Sequence, residues 1–324
     1  MAISPRNTSP IATDVLDVLS LEAGARHDVL LHLADDGLGF PLHVPLIVAR
    51  GSRPGPVFGL IAGLHGNELN GIWVIHELMQ SLSPRRLQGT VVAVVVANAP
   101  GLVRRQRAFS DGHDLNRTFP GRSRGAPSEV WAHRIRSQLV SGFNVLVDLH
   151  TAGAGRRNCV YARVDLDDPR SRTLARVLRP ELIVHKPPSD RSLRGWASAH
   201  GIPAVTLEIG DPQRRQNDLS SYTARGVRRA LRWAKLLAGH APEARPLPTE
   251  FRRSRWLYTT RGGLLDVSVP VGKKVKAGQP LGRLLDVFGN QIETYRAPSE
   301  AWVVGTTADP VAQTGTRVVH LATP

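Results

Sequence analysis

Short apolar runs without polar alternation are the feature of this sequence that most restricts its fold. They extend over Val57 to Ala62, Val91 to Ala97, Val145 to Leu149 and Ala204 to Leu207. Each run is flanked by Gly, Pro, Asn or His residues. Such runs are typical of strands buried on both faces, as in a parallel sheet covered by helices. None approaches the roughly 18 to 20 apolar residues that cross a bilayer, so the sequence predicts no membrane span.

Helical patterns separate these runs. Apolar residues from Leu69 to Leu82 follow the three-and-four spacing of one helix face, and Pro84 ends the pattern. Ser128 is a candidate N-cap of a second helix, and Asp218 is a candidate N-cap of a third that runs to about Ala238. Strands that alternate with helices predict an open α/β sheet.

A proline-rich segment divides the chain into two expected domains. Residues 240–250 contain three prolines without periodicity, which indicates a linker. We therefore expect an α/β domain over residues 13–240. Residues 251–324 alternate short strands with glycine turns, and this pattern predicts a small all-β domain that leans on the larger one.

The charge balance taken alone favours a polyanionic partner, because the net charge is +15. The 42 basic residues are mostly arginines spread over nearly the whole chain, and aromatic residues make up 5%. Few aromatic rings leave little material for stacking on bases, so the sequence favours a solvated basic surface over nucleic-acid binding. The single cysteine, Cys159, excludes an internal disulfide, and the first residues lack a secretory signal. These features predict a reducing cytoplasm.

The strongest chemical signal lies where the first buried run meets the following helix. His65 and Glu68 stand three residues apart at the helix opening and can turn toward one ion. His150 ends another buried run, so it is expected at the same edge of the sheet. Imidazole nitrogen and carboxylate oxygen both suit zinc, and a catalytic zinc site takes three protein ligands. We predict one Zn²⁺ per chain on His65, Glu68 and His150, with Asp148 orienting a ligand imidazole.

Glu208, at the end of a further buried run, is the candidate general base for a hydrolytic metal site. Each of these groups alone has an ordinary structural explanation, such as a solvated helix start, a hydrogen-bonded core histidine or a loop cap. Their common placement favours the functional interpretation, because open α/β sheets bind ligands at the carboxyl ends of their strands.

A basic segment over residues 104–121 is the candidate substrate-binding loop. Arginine can clasp a carboxylate with two parallel hydrogen bonds, and asparagine can add a donor beside it. If this loop overhangs the metal site, it selects an anionic substrate. An exposed basic loop is the alternative, and it is favoured for Arg104, Arg105, Arg122 and Arg124.

Four motifs together resemble those of the succinylglutamate desuccinylase/aspartoacylase family, a branch of the zinc carboxypeptidase superfamily. They are His65-Gly66-Asn67-Glu68, Asp114-Leu115-Asn116-Arg117, Asp148-Leu149-His150 and Glu208. The resemblance extends from about Val57 to the end of the sequence. It implies a zinc-carboxypeptidase-like mixed sheet flanked by helices, with a smaller C-terminal all-β barrel-sandwich domain.

The same resemblance implies roles for individual residues. Zinc would be held by the three ligands named above, and Glu208 would act as general base and acid. Asn116 and Arg117 would bind the substrate carboxylate, and Arg107 would polarise the scissile carbonyl. Arg191 and Arg194 are candidates for a further carboxylate-binding arginine.

The C-terminal domain is also similar to biotinyl and lipoyl carriers. Those carriers need a lysine at an exposed hairpin tip, and the tip expected near Asp286 to Asn290 contains none. We therefore expect residues 251–324 to cap the active site and to carry no covalent cofactor.

The predicted function is that of a zinc-dependent amidohydrolase that removes an acyl group from an N-acyl amino acid or a similar small anionic amide. A metallocarboxypeptidase that acts on peptides is one alternative. A short acyl pocket closed by the C-terminal domain would favour the deacylase, whereas an open groove would favour peptides. A non-catalytic, basic nucleic-acid-binding protein is another alternative, and self-association into a homo-oligomer is left open.

Overall fold

The computed structural model describes residues 9–189, 191–239 and 247–323. Within these ranges the α-helices are α1 (Asn70–Ser81), α2 (Ala99–Arg104), α3 (Pro127–Gln138), α4 (Pro169–Leu178), α5 (Leu193–Ala199) and α6 (Asn217–Trp233). Short 3-10 turns cover Pro84–Arg86, Leu115–Arg117 and Val140–Gly142. None of these helices combines the length and the apolar character that a membrane span needs.

The strands number nineteen over the same ranges. They are β1 (Ile11–Thr13), β2 (Ala25–Asp35), β3 (Pro41–Arg50), β4 (Arg53–Ala62), β5 (Gln88–Val94), β6 (Val145–His150), β7 (Arg156–Asn158), β8 (Val160–Val164), β9 (Leu182–His185), β10 (Ala204–Ile209), β11 (Thr249–Phe251), β12 (Arg253–Tyr258), β13 (Gly263–Val267), β14 (Lys274–Val275), β15 (Pro280–Leu285), β16 (Gln291–Arg296), β17 (Ala301–Thr307), β18 (Val311–Ala312) and β19 (Arg317–Thr323).

A ten-stranded mixed sheet forms the centre of the larger unit, in the order β1-β2-β3-β5-β4-β6-β10-β8-β9-β11. The four predicted buried runs are β4, β5, β6 and β10, which lie side by side and run parallel. Their neighbours β3 and β8 are antiparallel to them. The predicted mixed α/β fold is therefore confirmed.

The core lies in two layers, one on each face of this sheet. Helices α1, α4 and α6 cover one face with residues such as Val74 and Val227. Helices α3 and α5, together with β2 and β3, contribute to the other layer, which contains Trp131 and Leu193. Burial on both faces explains why the central strands carry apolar residues at nearly every position.

Two predicted helix starts are wrong by two residues. The second helix begins at Pro127, with Ala126 as its N-cap, because proline has a fixed φ that suits the first helical position. The third begins at Asn217 after Gln216 and ends at Trp233, before the predicted Ala238. The first predicted helix agrees closely with α1.

The C-terminal unit consists of two small sheets around their own apolar cluster. One has the order β12-β19-β17-β14, and the other has the order β16-β15-β13-β18. The β15–β16 hairpin places its tip at residues 286–290, as predicted. Strand β7, which comes from the larger unit, pairs antiparallel with β17 and so joins the two units.

The expected domain limits differ from the observed strands. Strand β1 starts at Ile11, before the expected limit at residue 13. The expected second limit, residue 251, falls at the end of β11, which pairs with β9 in the large sheet. Phe251 is fully buried in a cluster with Tyr161 and Val304, which explains why the chain is fixed at this point. Residues 240–246 of the expected linker lie outside the described residues.

Candidate metal and catalytic site

The parallel pairing of β6 with β10 places two predicted site residues side by side. Glu208 is the register partner of His150, and Thr206 is the partner of Asp148. The sheet edge predicted from the apolar runs therefore brings His150 and Glu208 onto adjacent strand ends.

The loop between β4 and α1 carries the other two predicted metal ligands. It leaves the sheet at Gly63, which has a φ of +62°. At Gly66 the loop lies directly against the start of α2, where a Cβ atom would be 2.0 Å from the carbonyl carbon of Gly101. Only glycine fits between these two backbones, and the close contact fixes the position of His65 and Glu68 on either side.

His65, Glu68 and His150 converge in the protein interior, where each is no more than 3% exposed. The Nδ1 atom of His65 lies 2.9 Å from Glu68 Oε1, and the Nδ1 atom of His150 lies 2.8 Å from Glu68 Oε2. The two Nδ1 atoms are 3.1 Å apart. These three side chains form a group that could hold a metal ion.

Two further carboxylates engage the opposite ring nitrogens. Asp114 Oδ1 lies 3.0 Å from His65 Nε2, and Asp148 Oδ2 lies 2.9 Å from His150 Nε2. A proton on each Nε2 satisfies these contacts and leaves the Nδ1 lone pairs directed at Glu68. Three electron-pair donors then face one point, which is the arrangement that a bound cation needs.

The electrostatics of the group support the same conclusion. Burial lowers the pKa of His150, but Asp148 and Glu68 together raise it well above its ordinary value. Burial raises the pKa of Glu68, but the imidazoles of His65 and His150 hold it well below its ordinary value. An extra proton and a metal ion both add positive charge among these three side chains, and metal binding displaces such a proton. The residues present therefore fit a divalent ion with nitrogen and oxygen ligands, such as zinc.

Glu208 lies beside this group and has its own partners. Asn158 Nδ2 donates to Glu208 Oε2 at 3.2 Å, and Arg163 Nη2 lies 3.0 Å from Oε1. The carboxylate is 5% exposed and lines the same cavity as the metal donors. Its contacts with Asn158 and Arg163, which are separate from those of the predicted ligands, thus hold Glu208 next to the metal donors.

Arg107 and Asp114 form a bridge to the metal donors. Arg107 donates to Glu68 Oε1 at 2.9 Å and twice to Asp114 Oδ2, at 3.0 and 3.2 Å. Burial raises the pKa of Asp114, but His65 and Arg107 lower it well below its ordinary value. Asp114 therefore remains a carboxylate that links Arg107 to His65.

Asn116 and Arg117 reach the cavity from a 3-10 turn whose N-cap is Asp114. Asn116 is buried, and its Oδ1 accepts a hydrogen bond from Leu193 N at 2.9 Å. Arg117 is exposed, with one bond from Nη1 to the carbonyl of Asn116. Of the two further candidates, Arg194 lines the cavity and is 1% exposed, whereas the described cavity lining does not include Arg191.

The cavity has a volume of about 280 Å³ and contains several residues that the sequence analysis missed. These are Arg156 and Asn158 of β7, Tyr161 and Arg163 of β8, and Trp256 and Arg317 of the C-terminal unit. Four apolar residues among the five of Val160-Tyr161-Ala162-Arg163-Val164 are the signal that could have revealed β8. No local pattern predicts which distant strands would meet here.

The C-terminal wall of the cavity is supported by His320. Its ring stacks on Trp256 with the ring centroids 5.0 Å apart. Burial, together with the nearby Arg163 and Arg317, lowers the pKa of His320 to about 3. The imidazole is therefore neutral at ordinary pH.

Comparisons with known proteins identify the family and relatives of this chain. The model of the succinylglutamate desuccinylase/aspartoacylase catalytic domain matches residues 54–234, which is more than half of the chain. An N-alpha-acetyl-L-2,4-diaminobutyric acid deacetylase from Halomonas elongata is 28% identical over 307 residues, covering 89% of this chain and 88% of the relative. The succinylglutamate desuccinylase of Pseudomonas paraeruginosa is 28% identical over 166 residues, covering 47% of this chain and 49% of the relative.

Solved structures show the same fold. A succinylglutamate desuccinylase/aspartoacylase from Rhodobacter sphaeroides has a TM-score of 0.84 at 24% identity, covering 97% of this chain and 99% of the other. The product-bound ectoine utilization protein EutE (DoeB) from Ruegeria pomeroyi has a TM-score of 0.82 at 20% identity, covering 93% and 95%.

Proposed function

The chain belongs to the succinylglutamate desuccinylase/aspartoacylase family, and on that premise we propose that it is a zinc-dependent amidohydrolase. Its substrate is an N-acyl amino acid or a similar small anionic amide, from which it removes the acyl group. The relatives named above are a deacetylase and a desuccinylase, which supports hydrolysis of an acyl-amino acid amide.

The observation that carries the proposal is the convergence of His65, Glu68 and His150 beside Glu208. Three donors and one carboxylate outside the donor set make up the protein part of a hydrolytic zinc centre. When bound there, the ion supplies Lewis acidity that polarises the carbonyl and makes water more acidic.

Glu208 has the position of the general base. It accepts the proton of the attacking water at a carboxylate oxygen and returns it to the leaving nitrogen. Asn158 and Arg163 each hold one oxygen of this carboxylate, so its orientation toward the cavity is fixed. Each oxygen keeps a second lone pair for the water proton.

Arg107 and Arg117 have the chemistry to bind the substrate. Arg107 uses three of its five N–H donors on Glu68 and Asp114, so two remain for the scissile carbonyl. Arg117 presents an exposed guanidinium to the cavity beside the buried Asn116. This pair suits a carboxylate on the amine side of the substrate.

The size of the cavity supports a small substrate rather than a peptide. Its volume is about 280 Å³, near the lower end for sites that bind small molecules. Trp256 and Arg317 of the C-terminal unit line it, so the cavity is closed on that side. A peptide would need an open groove in this direction.

The test combines metal analysis with a hydrolysis screen and one substitution. We expect the wild type to bind one zinc ion and to hydrolyse N-acetyl, N-succinyl or N-formyl amino acids faster than dipeptides. Glu208→Gln should lower turnover by roughly 10² to 10⁴ and keep its zinc, because the amide retains the shape but cannot accept the proton.

Glu22→Gln, at an exposed residue, is the matched control and should behave as the wild type. Full turnover in zinc-loaded Glu208→Gln would place the base elsewhere, and parallel loss of zinc and activity would make Glu208 a ligand. Cleavage of dipeptides alone would establish a carboxypeptidase instead.

A further inference from the structure

The β2–β3 hairpin extends past its neighbours in the large sheet. Strand β1 pairs with β2 only as far as Leu31, and β5 pairs with β3 only from Leu46 onward. Residues 32–44, which we call the arm, therefore have only each other as strand partners within the described part of the chain. A two-stranded hairpin is marginally stable in water by itself, so the arm needs further contacts. Ala34 and Leu42, on one of its faces, pack against the core layer on that side of the sheet.

The tip of the arm holds two apolar side chains out in solvent. Asp36 Oδ1 accepts hydrogen bonds from Leu38 N at 2.8 Å and from Phe40 N at 2.9 Å, and Asp36 N donates to Phe40 O at 2.8 Å. Gly39 supplies the left-handed φ of +82° that the turn requires. Leu38 is 82% exposed and Phe40 is 63% exposed. A turn that is fixed by its own hydrogen bonds and presents apolar groups to water is typical of a contact surface.

A groove of about 710 Å³ lies between the arm and the helices α2 and α3. Its lining is mainly apolar and includes Val103 of α2 together with Phe109, Val130 and Trp131. Val103 is 83% exposed, so the side of the groove opposite the arm also presents an apolar group to water. This surface therefore contains both an apolar projection, the tip of the arm, and an apolar recess beside it.

The two walls of the groove carry opposite charges. The arm contributes Asp35 and Asp36, and α2 contributes Arg104. A two-fold axis that runs along the groove would place the arm of one copy against α2 of another. Each acidic wall would then face a basic wall, and each projection would face a recess. The surface is complementary to itself, so a second copy of this chain fits it in both shape and charge.

We propose that this groove is the interface of a symmetric dimer of the chain. Leu38 and Phe40 of each copy sit in the groove of the other, next to its Val103. Asp35 of each copy pairs with Arg104 of the other at the rim of the interface. None of these residues lines the metal cavity, so the inference is independent of the proposed reaction.

Sedimentation equilibrium of the full chain, at concentrations from about 1 to 100 µM, tests the interface. We expect the wild type to have twice the mass of one chain, which is 35.3 kDa. Leu38→Glu and Val103→Glu each put a charge into the apolar contact. Each should raise the dissociation constant of the dimer roughly 30-fold or more, the effect of a central interface residue. Both side chains are exposed, so neither variant loses a core contact, and circular dichroism checks that both fold.

Phe288→Glu is the matched control. Phe288 is 86% exposed at the tip of the β15–β16 hairpin. Its turn is built in the same way, because Asp286 Oδ1 accepts hydrogen bonds from Phe288 N at 2.9 Å and from Asn290 N at 2.8 Å. The substitution therefore adds the same charge at an equally exposed apolar residue, and the dissociation constant should stay that of the wild type.

A charge reversal tests which walls face each other. Asp35→Lys and Arg104→Glu should each raise the dissociation constant about 3-fold or more, the effect of a charge pair at an interface rim. The double variant should recover most of this loss, because the two reversed charges attract each other again. Failure to recover would contradict the pairing of the arm with α2.

Two results would overturn the proposal. A folded dimer whose dissociation constant is unchanged in Leu38→Glu and Val103→Glu would be joined through another face. A wild type that stays monomeric at the highest concentration would have no such interface. If that monomer bound the apolar dye anilinonaphthalene sulfonate and Val103→Glu did not, the groove would be a site for a small apolar ligand instead.

Discussion

Gly66→Ala tests whether the predicted metal ligands are held in place by the contact of two backbones. The added Cβ atom would lie 2.0 Å from the carbonyl carbon of Gly101 and 2.3 Å from Leu102 N. Carbon atoms in contact are normally about 3.5 to 4.0 Å apart, so the two segments must separate by roughly 1.5 Å. Backbone atoms cannot turn aside as a side chain can. Overpacking usually costs about 1 to 3 kcal/mol, and we expect about 3 kcal/mol here because both segments are fixed.

Urea denaturation measures this loss as a change in the free energy of unfolding. The control is Gly142→Ala, at an exposed position where no atom lies within 4 Å of the new Cβ. Its stability should equal that of the wild type or exceed it by up to about 1 kcal/mol, because alanine restricts the unfolded chain. A separation of the segments would also move His65 and Glu68, so zinc affinity should fall in Gly66→Ala alone. A free energy of unfolding within about 0.5 kcal/mol of the wild type would refute this reasoning.

Three further results are expected. Asp114→Asn should weaken zinc binding about 10- to 100-fold, since the neutral amide no longer holds the Nε2 proton of His65. The control variant Asp111→Asn should bind zinc as tightly as the wild type does. Equal zinc dissociation constants for both variants would contradict the role of Asp114. Arg117→Lys should raise KM for carboxylate-bearing amides roughly 10-fold without loss of zinc, because the two-pronged contact is lost; an unchanged KM would remove Arg117 from substrate binding. His320 has a folded pKa of about 3 and an unfolded pKa near 6.5, so its neutral form stabilises the protein above pH 6.5 and this contribution is lost as pH falls toward 3. Between pH 7 and pH 5 the free energy of unfolding, measured by urea denaturation, should therefore fall by about 2 kcal/mol more in the wild type than in His320→Phe. An equal fall in both proteins would contradict the low pKa.

The central sheet and the family could be predicted from the sequence because their signals are local. An apolar run such as Val145 to Leu149 can be stable only between two covering layers, and the structure places β6 there. Parallel strands end at a common edge, so His150 and Glu208 could be expected to meet before any register was known. The roles assigned to the site residues stay predictions until the metal and the reaction are measured.

Other features depended on long-range pairing, which the weak local patterns of the segments involved do not encode. Strand β8 contains Arg163 within five residues, and a charged group in a short segment weakens the pattern of a buried strand. Its carboxylate partner, Glu208, lies on β10, and antiparallel pairing of the two strands brings them together. Arg156 was missed for a similar reason, because β7 has three residues and joins a sheet formed by the far end of the chain.

The pairing of β7 with β17 has a consequence for chimaeras made from related enzymes. A crossover at residues 240–250 would look natural from the proline content of that segment. It would pair β7 of one parent with β17 of the other, and their contacts at Asn158 and Gly305 would no longer be matched. It would also combine Arg156 from one parent with Trp256 and Arg317 from the other in a single cavity. An exchange intended to keep the cavity lining of one parent must therefore carry residues 156–158 together with the C-terminal unit.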